Sequence, residues 1–301
     1  MEEQRGRILA VWQDKRLAPI CHALVAAGYE VMIAGCTLPR GMPEDVRLVP
    51  NYRGLLSEVD AVLLPLPTLR AGGLIAFAEE EIPYTELLSG MKRGATVLAG
   101  MIPEERIREA EAMGLRAYDY YESEDVKRRN ACLTAEGAIA IAMQELPVAL
   151  YEARAAVVGC GRIGNALTRM LRAMNVDVTA LARRRESLLD AEIFGARTAL
   201  LTEESLKRTV SEGFDVVFTT VPFRLFGREE LSLDRPLTGG RRTLYIDLSS
   251  SPGSFDPAAA RDCGVRLLWA LSLPGKYAPD SAGRVLSRRI IGLLSGEERA
   301  L

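Results

Sequence analysis

The chain has 301 residues, 48% hydrophobic and 26% charged, which suits a folded protein of two domains and excludes disordered or collagen-like chains. Its 38 basic side chains nearly balance 40 acidic ones, so a net charge of -2 supplies no global field for holding nucleic acid or an anionic membrane. A single histidine, His22, leaves histidine triads and multi-histidine metal sites without their residues, and five scattered cysteines with no C-x-x-C pair argue against structural zinc or a disulfide framework.

The acidic start is followed by an apolar run too short for a secretory leader, which with the scattered cysteines gives a cytoplasmic expectation. From residue 7 to 119, short apolar runs (RILAVW, EVMIAG, VRLVP, DAVLLPLP, ATVLAG, LRAYDY) alternate with longer amphipathic ones. Such runs read as parallel strands buried on both faces, with helices at 17–27 and 103–113, and predict a flavodoxin-like α/β domain over 1–130. His22 falls near the end of an apolar helix face and is expected to be a partly buried structural residue. A charged stretch, 120–130, precedes a connecting helix within 131–150, expected from about 132 to 146, where Pro147 ends it. Glu136, Gln144, Glu145 and Pro147 in that segment exclude a membrane span.

A second alternation begins after Tyr151: AAVVGC, a helix to 174, VDVTAL, a helix near 186–194, RTALL, a helix near 203–211, DVVFTTV, RRTLYIDLS and VRLLWAL. This is the pattern of a doubly wound Rossmann NAD(P)-binding domain, over 151–281. The final helical segment, within 282–301, can pack back on the first domain.

The sharpest local signal is GCGRIG, residues 159–164, between the strand AAVV and the helical NALTRMLRAM. In a dinucleotide fingerprint Gly159 serves the tight turn, Gly161 the approach of the pyrophosphate and Gly164 close packing of helix on strand; Arg162 and Ile163 complete the turn. About twenty residues on, an NAD-binding chain would place an acid for the ribose hydroxyl. This chain has Ala182 followed by Arg183, Arg184 and Arg185, which favours the 2′-phosphate of NADP, with Arg183 and Arg184 as its holders. An ordinary solvated helix start is the alternative, and it fits Arg185 best.

Strand C-termini carry ligands in open α/β sheets, so TTVP (Thr219, Thr220, Val221, Pro222) and DLSSSPG, residues 247–253, are expected beside the cofactor ring. Thr and Ser also belong in plain turns. LPGKYAPDSAG, residues 273–283, reads as a proline-stiffened loop before a helix, with Lys276 as its cation, either for a substrate carboxylate or as a surface lysine. Glu136 reads two ways: a partly buried acid/base with a raised pKa in a helix lining the interdomain cleft, or a solvated or capping residue, since T-x-E before AIAIAM also looks like a helix start. TLRAGG, residues 68–73, reads as a loop or as a segment closing over substrate.

LTAEGAIAIAMQ (133–144), the fingerprint strand and helix (157–183), TTVP, DLSSSPG and LPGKYAPDSAGRVL (273–286) together resemble the A-subunit of dipicolinate synthase, from endospore-forming bacteria. The specific motifs cover the C-terminal 170 or so residues; the N-terminal half is similar in strand layout. The resemblance implies oxidation of a dihydrodipicolinate, derived from a lysine-pathway intermediate, to dipicolinate in the mother cell of a sporulating bacterium. It implies NADP+ as hydride acceptor and, as partner, a flavoprotein-like B-subunit, and it allows a homo-oligomer. For this reaction Glu136 and Lys276 become the catalytic candidates, and Thr134, Ser249 and Ser250 the holders of the dicarboxylate. Aromatisation supplies driving force, so a histidine base is dispensable. Two other readings stay open: another two-domain NADP-dependent dehydrogenase, although those acting on 2-hydroxy acids use a late histidine that is missing here, and a dinucleotide-binding regulatory or scaffold subunit whose chemistry needs a partner.

Overall fold

Short branched apolar runs fold here into parallel strands with buried faces, and the amphipathic stretches between them become the covering helices. The computed structural model describes residues 5–11, 14–34, 40–77 and 80–297. In chain order the elements are β1 (Arg7–Val11), α1 (Leu17–Ala26), β2 (Glu30–Ala34), β3 (Arg47–Leu48), β4 (Ala61–Leu63), β5 (Leu74–Phe77), β6 (Glu80–Pro83), α2 (Tyr84–Gly90), β7 (Thr96–Ala99), α3 (Glu104–Ala112), β8 (Arg116–Asp119) and α4 (Glu124–Glu145). They continue with β9 (Arg154–Val158), α5 (Arg162–Ala173), β10 (Asp177–Ala182), α6 (Leu189–Ile193), β11 (Arg197–Leu200), α7 (Glu203–Ser211), β12 (Val216–Thr219), α8 (Arg228–Leu231), β13 (Leu244–Asp247), α9 (Pro257–Asp262), β14 (Arg266–Trp269), α10 (Leu273–Tyr277) and α11 (Pro279–Ser295). Two compact units result, one of Met1–Arg129 with Ala278–Leu301, the other of Asn130–Tyr277.

The first unit holds a parallel sheet of order β3-β2-β1-β4-β7-β8. Without the two-residue β3 this is the 2-1-3-4-5 order of flavodoxin-like folds. Helix α11 belongs to this unit: its Leu286 and Ile290 share a core cluster with Leu17, Ile20 and Leu24 of α1. The antiparallel pair β5 and β6 stands apart from the main sheet; neither it nor α2 was legible in the sequence.

Where β1 and β4 lie side by side, the strand order reverses and the unit buries a charge. Arg16, 7% exposed, donates to both carboxylate oxygens of Asp14, at 2.8 and 2.7 Å, and to the Leu66 carbonyl at 3.1 Å. Burial pushes the Asp14 carboxyl up, but its hydrogen bonds to Arg16 and the guanidinium charge outweigh that and hold it below its ordinary 3.8. As pH falls, the unfolded chain therefore takes up this proton first. The pair's stabilisation is complete above the ordinary value and is lost as pH drops through the depressed folded value. Asp14→Asn is expected to cost about 2–4 kcal/mol at neutral pH, by removing the carboxylate charge that faces the buried Arg16 guanidinium. The difference from the parent chain should shrink toward acid pH, as read by urea unfolding between about pH 6 and 2.5.

The second unit holds the parallel order β11-β10-β9-β12-β13-β14, the doubly wound arrangement, with its switch point between β9 and β12. Its core joins Val157 of β9, Phe218 of β12 and Ile246 of β13 to Ala135, Ala138, Ile139 and Ala142 of α4.

Three sequence expectations are corrected. The connecting helix starts at Glu124, because the charged stretch before it forms the pairs Glu124–Arg128 and Asp125–Arg129 one turn apart and supports helix rather than linker. Segment 273–283 is helical, as α10 and the start of α11; Pro279 sits in the first turn of α11, where its missing N–H is harmless. His22 is exposed rather than partly buried, and its Nε2 bonds to the Gly41 carbonyl at 2.7 Å.

Candidate functional site

The turn after β9 is built by what glycine permits. Gly159 adopts φ +104°, in the left-handed region. Its amide donates to the Leu181 carbonyl at 2.8 Å, and its carbonyl accepts from the Thr220 hydroxyl at 3.2 Å. A β-carbon at Gly164 would lie 1.8 Å from the Gly159 carbonyl oxygen, so helix and turn touch as backbone on backbone. Around Gly161 the situation is the opposite, since a β-carbon there would meet nothing within 4 Å. Gly161 is the N-cap of α5, with no capping side chain and no acid in the first turn. The N-terminus of α5 thus begins at a glycine that opens onto free space, which fits the approach of a dinucleotide pyrophosphate. The Arg162 side chain is exposed and Ile163 packs on the core. Cys160, buried between the glycines, has its thiol pushed up to about 11, by burial first and then by the Asp190 charge, so it stays protonated near neutral pH and is not a nucleophile.

The three arginines after β10 have three different fates. Arg185 is paired with Glu192 at 2.9 Å, as the helix-start reading expected. Arg184 is exposed, with no ion pair among the described residues. Arg183 is also exposed, but its guanidinium carbon lies 4.8 Å from the centroid of the Phe223 ring. Phe223 escaped the sequence reading, because the contact joins loops after two strands that are not neighbours.

The loops after β12 and β13 are organised by Asp247, also missed from sequence although an acid closing an apolar strand before three serines is a signal. Only 2% exposed, its carboxylate accepts from the Thr219 hydroxyl at 3.0 Å, the Ser249 amide at 2.9 Å, the Ser249 hydroxyl at 2.5 Å and the Ser254 amide at 2.7 Å. Ser254 then ties the loops together, its hydroxyl donating to the Val221 carbonyl at 2.6 Å and its carbonyl accepting from the Leu225 amide at 2.8 Å. Thr219 and Ser249, expected beside a ligand, are buried and donate to Asp247. Thr220 braces the fingerprint turn, Val221 is buried, and Pro222 and Ser250 are exposed.

Two motifs distant in sequence meet in the second unit. Gly137 of α4 admits α10, since a β-carbon there would lie 2.9 Å from the Leu273 β-carbon and 3.2 Å from the Tyr277 ring. Glu136 and Lys276 are neighbours in sequence of that contact. Both are exposed, and neither has an ion pair among the described residues. Glu136 is exposed, as its solvated reading has it and not partly buried, and its place inside α4 removes the capping role alone. Thr134, expected to hold a substrate carboxylate, is buried, and its hydroxyl donates to the Asn130 carbonyl at 2.9 Å, one turn back. Among the described residues no cluster of His, Cys, Asp and Glu could hold a metal ion, and no helix is long and apolar enough to cross a membrane.

Residues 13–121 match the family model described as the N-terminal domain of the dipicolinate synthase A-subunit. The dipicolinate synthase A-subunit of Bacillus subtilis (strain 168) is 27% identical over 241 residues, 79% of this chain and 78% of that protein. The crystal structure of the dipicolinate synthase A-subunit from Bacillus halodurans superposes with a TM-score of 0.83 at 23% identity, covering 97% of this chain and 98% of that one. An L-alanine dehydrogenase shares the fold at a TM-score of 0.63 and 15% identity, over 98% of this chain and 90% of its own. The two-unit α/β fold is thus shared with both.

Proposed function

We propose, starting from a chain that resembles the dipicolinate synthase A-subunit over 79% of its length, that it oxidises a dihydrodipicolinate to aromatic pyridine-2,6-dicarboxylate with NADP+ as hydride acceptor. The observation that carries this reading is the open space at Gly161, the N-cap of α5, with Arg183 and Arg184 standing where an NAD-binding chain would have an acid. Bound NADP+ supplies the acceptor for the hydride that leaves a ring carbon. The first-turn N–H groups of α5 hold the pyrophosphate, Arg183 and Arg184 the 2′-phosphate, and Thr220, Val221 and Pro222 border the nicotinamide end. Loss of the hydride leaves one proton to remove, and Glu136 takes it on its carboxylate as the ring becomes aromatic. Lys276 and Ser250, an exposed cation and an exposed hydroxyl, hold the carboxylates of the substrate. The setting that goes with this activity is the mother-cell cytoplasm of a sporulating bacterium, where the partner is a flavoprotein-like B-subunit.

The test is NADPH formation by the isolated full chain, given freshly generated dihydrodipicolinate and NADP+. Turnover is expected, and Glu136→Gln is expected to lower it about 100-fold, the scale of general-base catalysis, with NADP+ affinity unchanged. Dinucleotide binding without turnover until the B-subunit is added would replace this reading with that of a scaffold subunit. Full turnover by Glu136→Gln would move the base elsewhere.

A further inference from the structure

Of the three consecutive arginines after β10, one is positioned by a ring and has no ion pair among the described residues. Arg185 is held by Glu192. Arg184 has neither an ion pair nor a ring contact among the described residues. Arg183 has the Phe223 ring 4.8 Å from its guanidinium carbon and, among the described residues, no carboxylate partner. A ring covers one face of a planar guanidinium and leaves the N–H donors at its edge available, whereas a carboxylate would occupy them.

Phe223 can hold this position because it is itself anchored. It is partly buried and packs on the cluster that contains Phe226 and Phe255, whose rings stack at 4.4 Å. Its place in the topology matters as well. Strands β10 and β12 are the two neighbours of β9. A contact between Arg183, just after β10, and Phe223, in the loop after β12, therefore crosses the carboxyl end of β9 at the switch point, beside the fingerprint turn.

We propose that Phe223 is a positioning residue for dinucleotide selectivity: its ring fixes the Arg183 guanidinium so that the fork meets a 2′-phosphate without first being ordered. The inference rests on the NADP reading above and acts through Arg183. Holding a long side chain in advance removes part of the ordering cost of binding, and that gain is felt solely by a ligand carrying the 2′-phosphate.

The experiment is calorimetric titration of the full chain and its variants with NADP+, NAD+ and 2′,5′-ADP, which needs no turnover. Phe223→Leu, which keeps an apolar anchor and loses the ring, is expected to weaken NADP+ and 2′,5′-ADP about 3–10-fold, the range of a cation–π contact, with NAD+ within about two-fold of the parent. Phe223→Tyr should restore the parent values. In an Arg183→Ala background, itself about 10-fold or more weaker for NADP+, Phe223→Leu should have no further effect. Equal losses for NAD+ and NADP+ in Phe223→Leu would overturn the proposal, as would an undiminished effect in the Arg183→Ala background. If Arg183→Ala itself fails to discriminate between the cofactors, the NADP reading falls and this inference with it. A selective Arg183→Ala beside a silent Phe223→Leu overturns the inference alone.

Discussion

Replacing Asp247 by alanine is expected to destabilise the second unit by about 3–5 kcal/mol, enough to matter in a protein whose net stability is of order 5–15 kcal/mol. The reason is the number of donors that converge on one buried carboxylate. Without it the Thr219 hydroxyl, the Ser249 amide and hydroxyl and the Ser254 amide lose their acceptor in a dry place. Each unsatisfied buried donor costs about 1–3 kcal/mol, and local relaxation keeps the sum below full additivity. The damage should also be directed. Ser254 ties the loop after β13 to the loop after β12, so both loops should loosen together and become early sites of proteolysis. Thermal unfolding followed by circular dichroism should show the drop as a fall of about 6–20 °C in the transition of this unit. An unchanged transition would mean that the loops are held by their aromatic anchors, Phe226 and Phe255, and not by the carboxylate.

The second large effect concerns the fingerprint turn, where two glycines are expected to fail in different ways. Gly164→Ala puts a methyl group where the Gly159 carbonyl oxygen would be 1.8 Å away, so backbone has to move. A strain of about 3 kcal/mol, if carried into the bound state, corresponds to roughly 100-fold weaker dinucleotide binding, with a lowered transition temperature beside it. Gly161→Ala adds the same methyl group to open space and should leave the free protein as stable as its parent. That methyl stands in the cradle instead, and weakened binding should be its sole consequence. Measuring unfolding and NADP+ titration on both variants separates a turn needed for folding from a turn needed for the ligand. Loss of stability without loss of binding in Gly164→Ala would mean that the first-turn N–H groups of α5 do not hold the pyrophosphate.

Much of the fold was legible because its strands are buried in parallel sheets. Runs such as AAVV in β9 and LYI in β13 carry β-branched and apolar residues at successive positions, and their spacing shows through whatever surrounds them. The β5 and β6 pair carries no such pattern. Its second strand, EEIP, is charged, and an antiparallel pair outside the main sheet has little need of a continuous apolar run. The glycine turn was legible for the same reason as the strands, since its constraints are local. The roles of Thr219 and Ser249 were not. Both look like small hydroxyl residues lining a ligand, and only the folding together of two loops shows that they face a buried acid. Phe223 was hidden more deeply, because its partner lies across an intervening strand.

The first unit repeats the strand order of the second, yet treats its switch point differently. In the second unit the helix after the first strand begins at Gly161, where a β-carbon would meet nothing within 4 Å. In the first, the corresponding helix is α1, and the Asp14 side chain accepts from the Arg16 amide at 2.8 Å while the Asp14 carbonyl accepts from the Leu17 amide at 3.0 Å. The chain thus sets its own carboxylate, with a matching guanidinium, just before the first turn of α1. One topology is used twice, once as a socket and once with the plug already in it. The expected stoichiometry is then a single dinucleotide per polypeptide, despite two sheets that are wound alike.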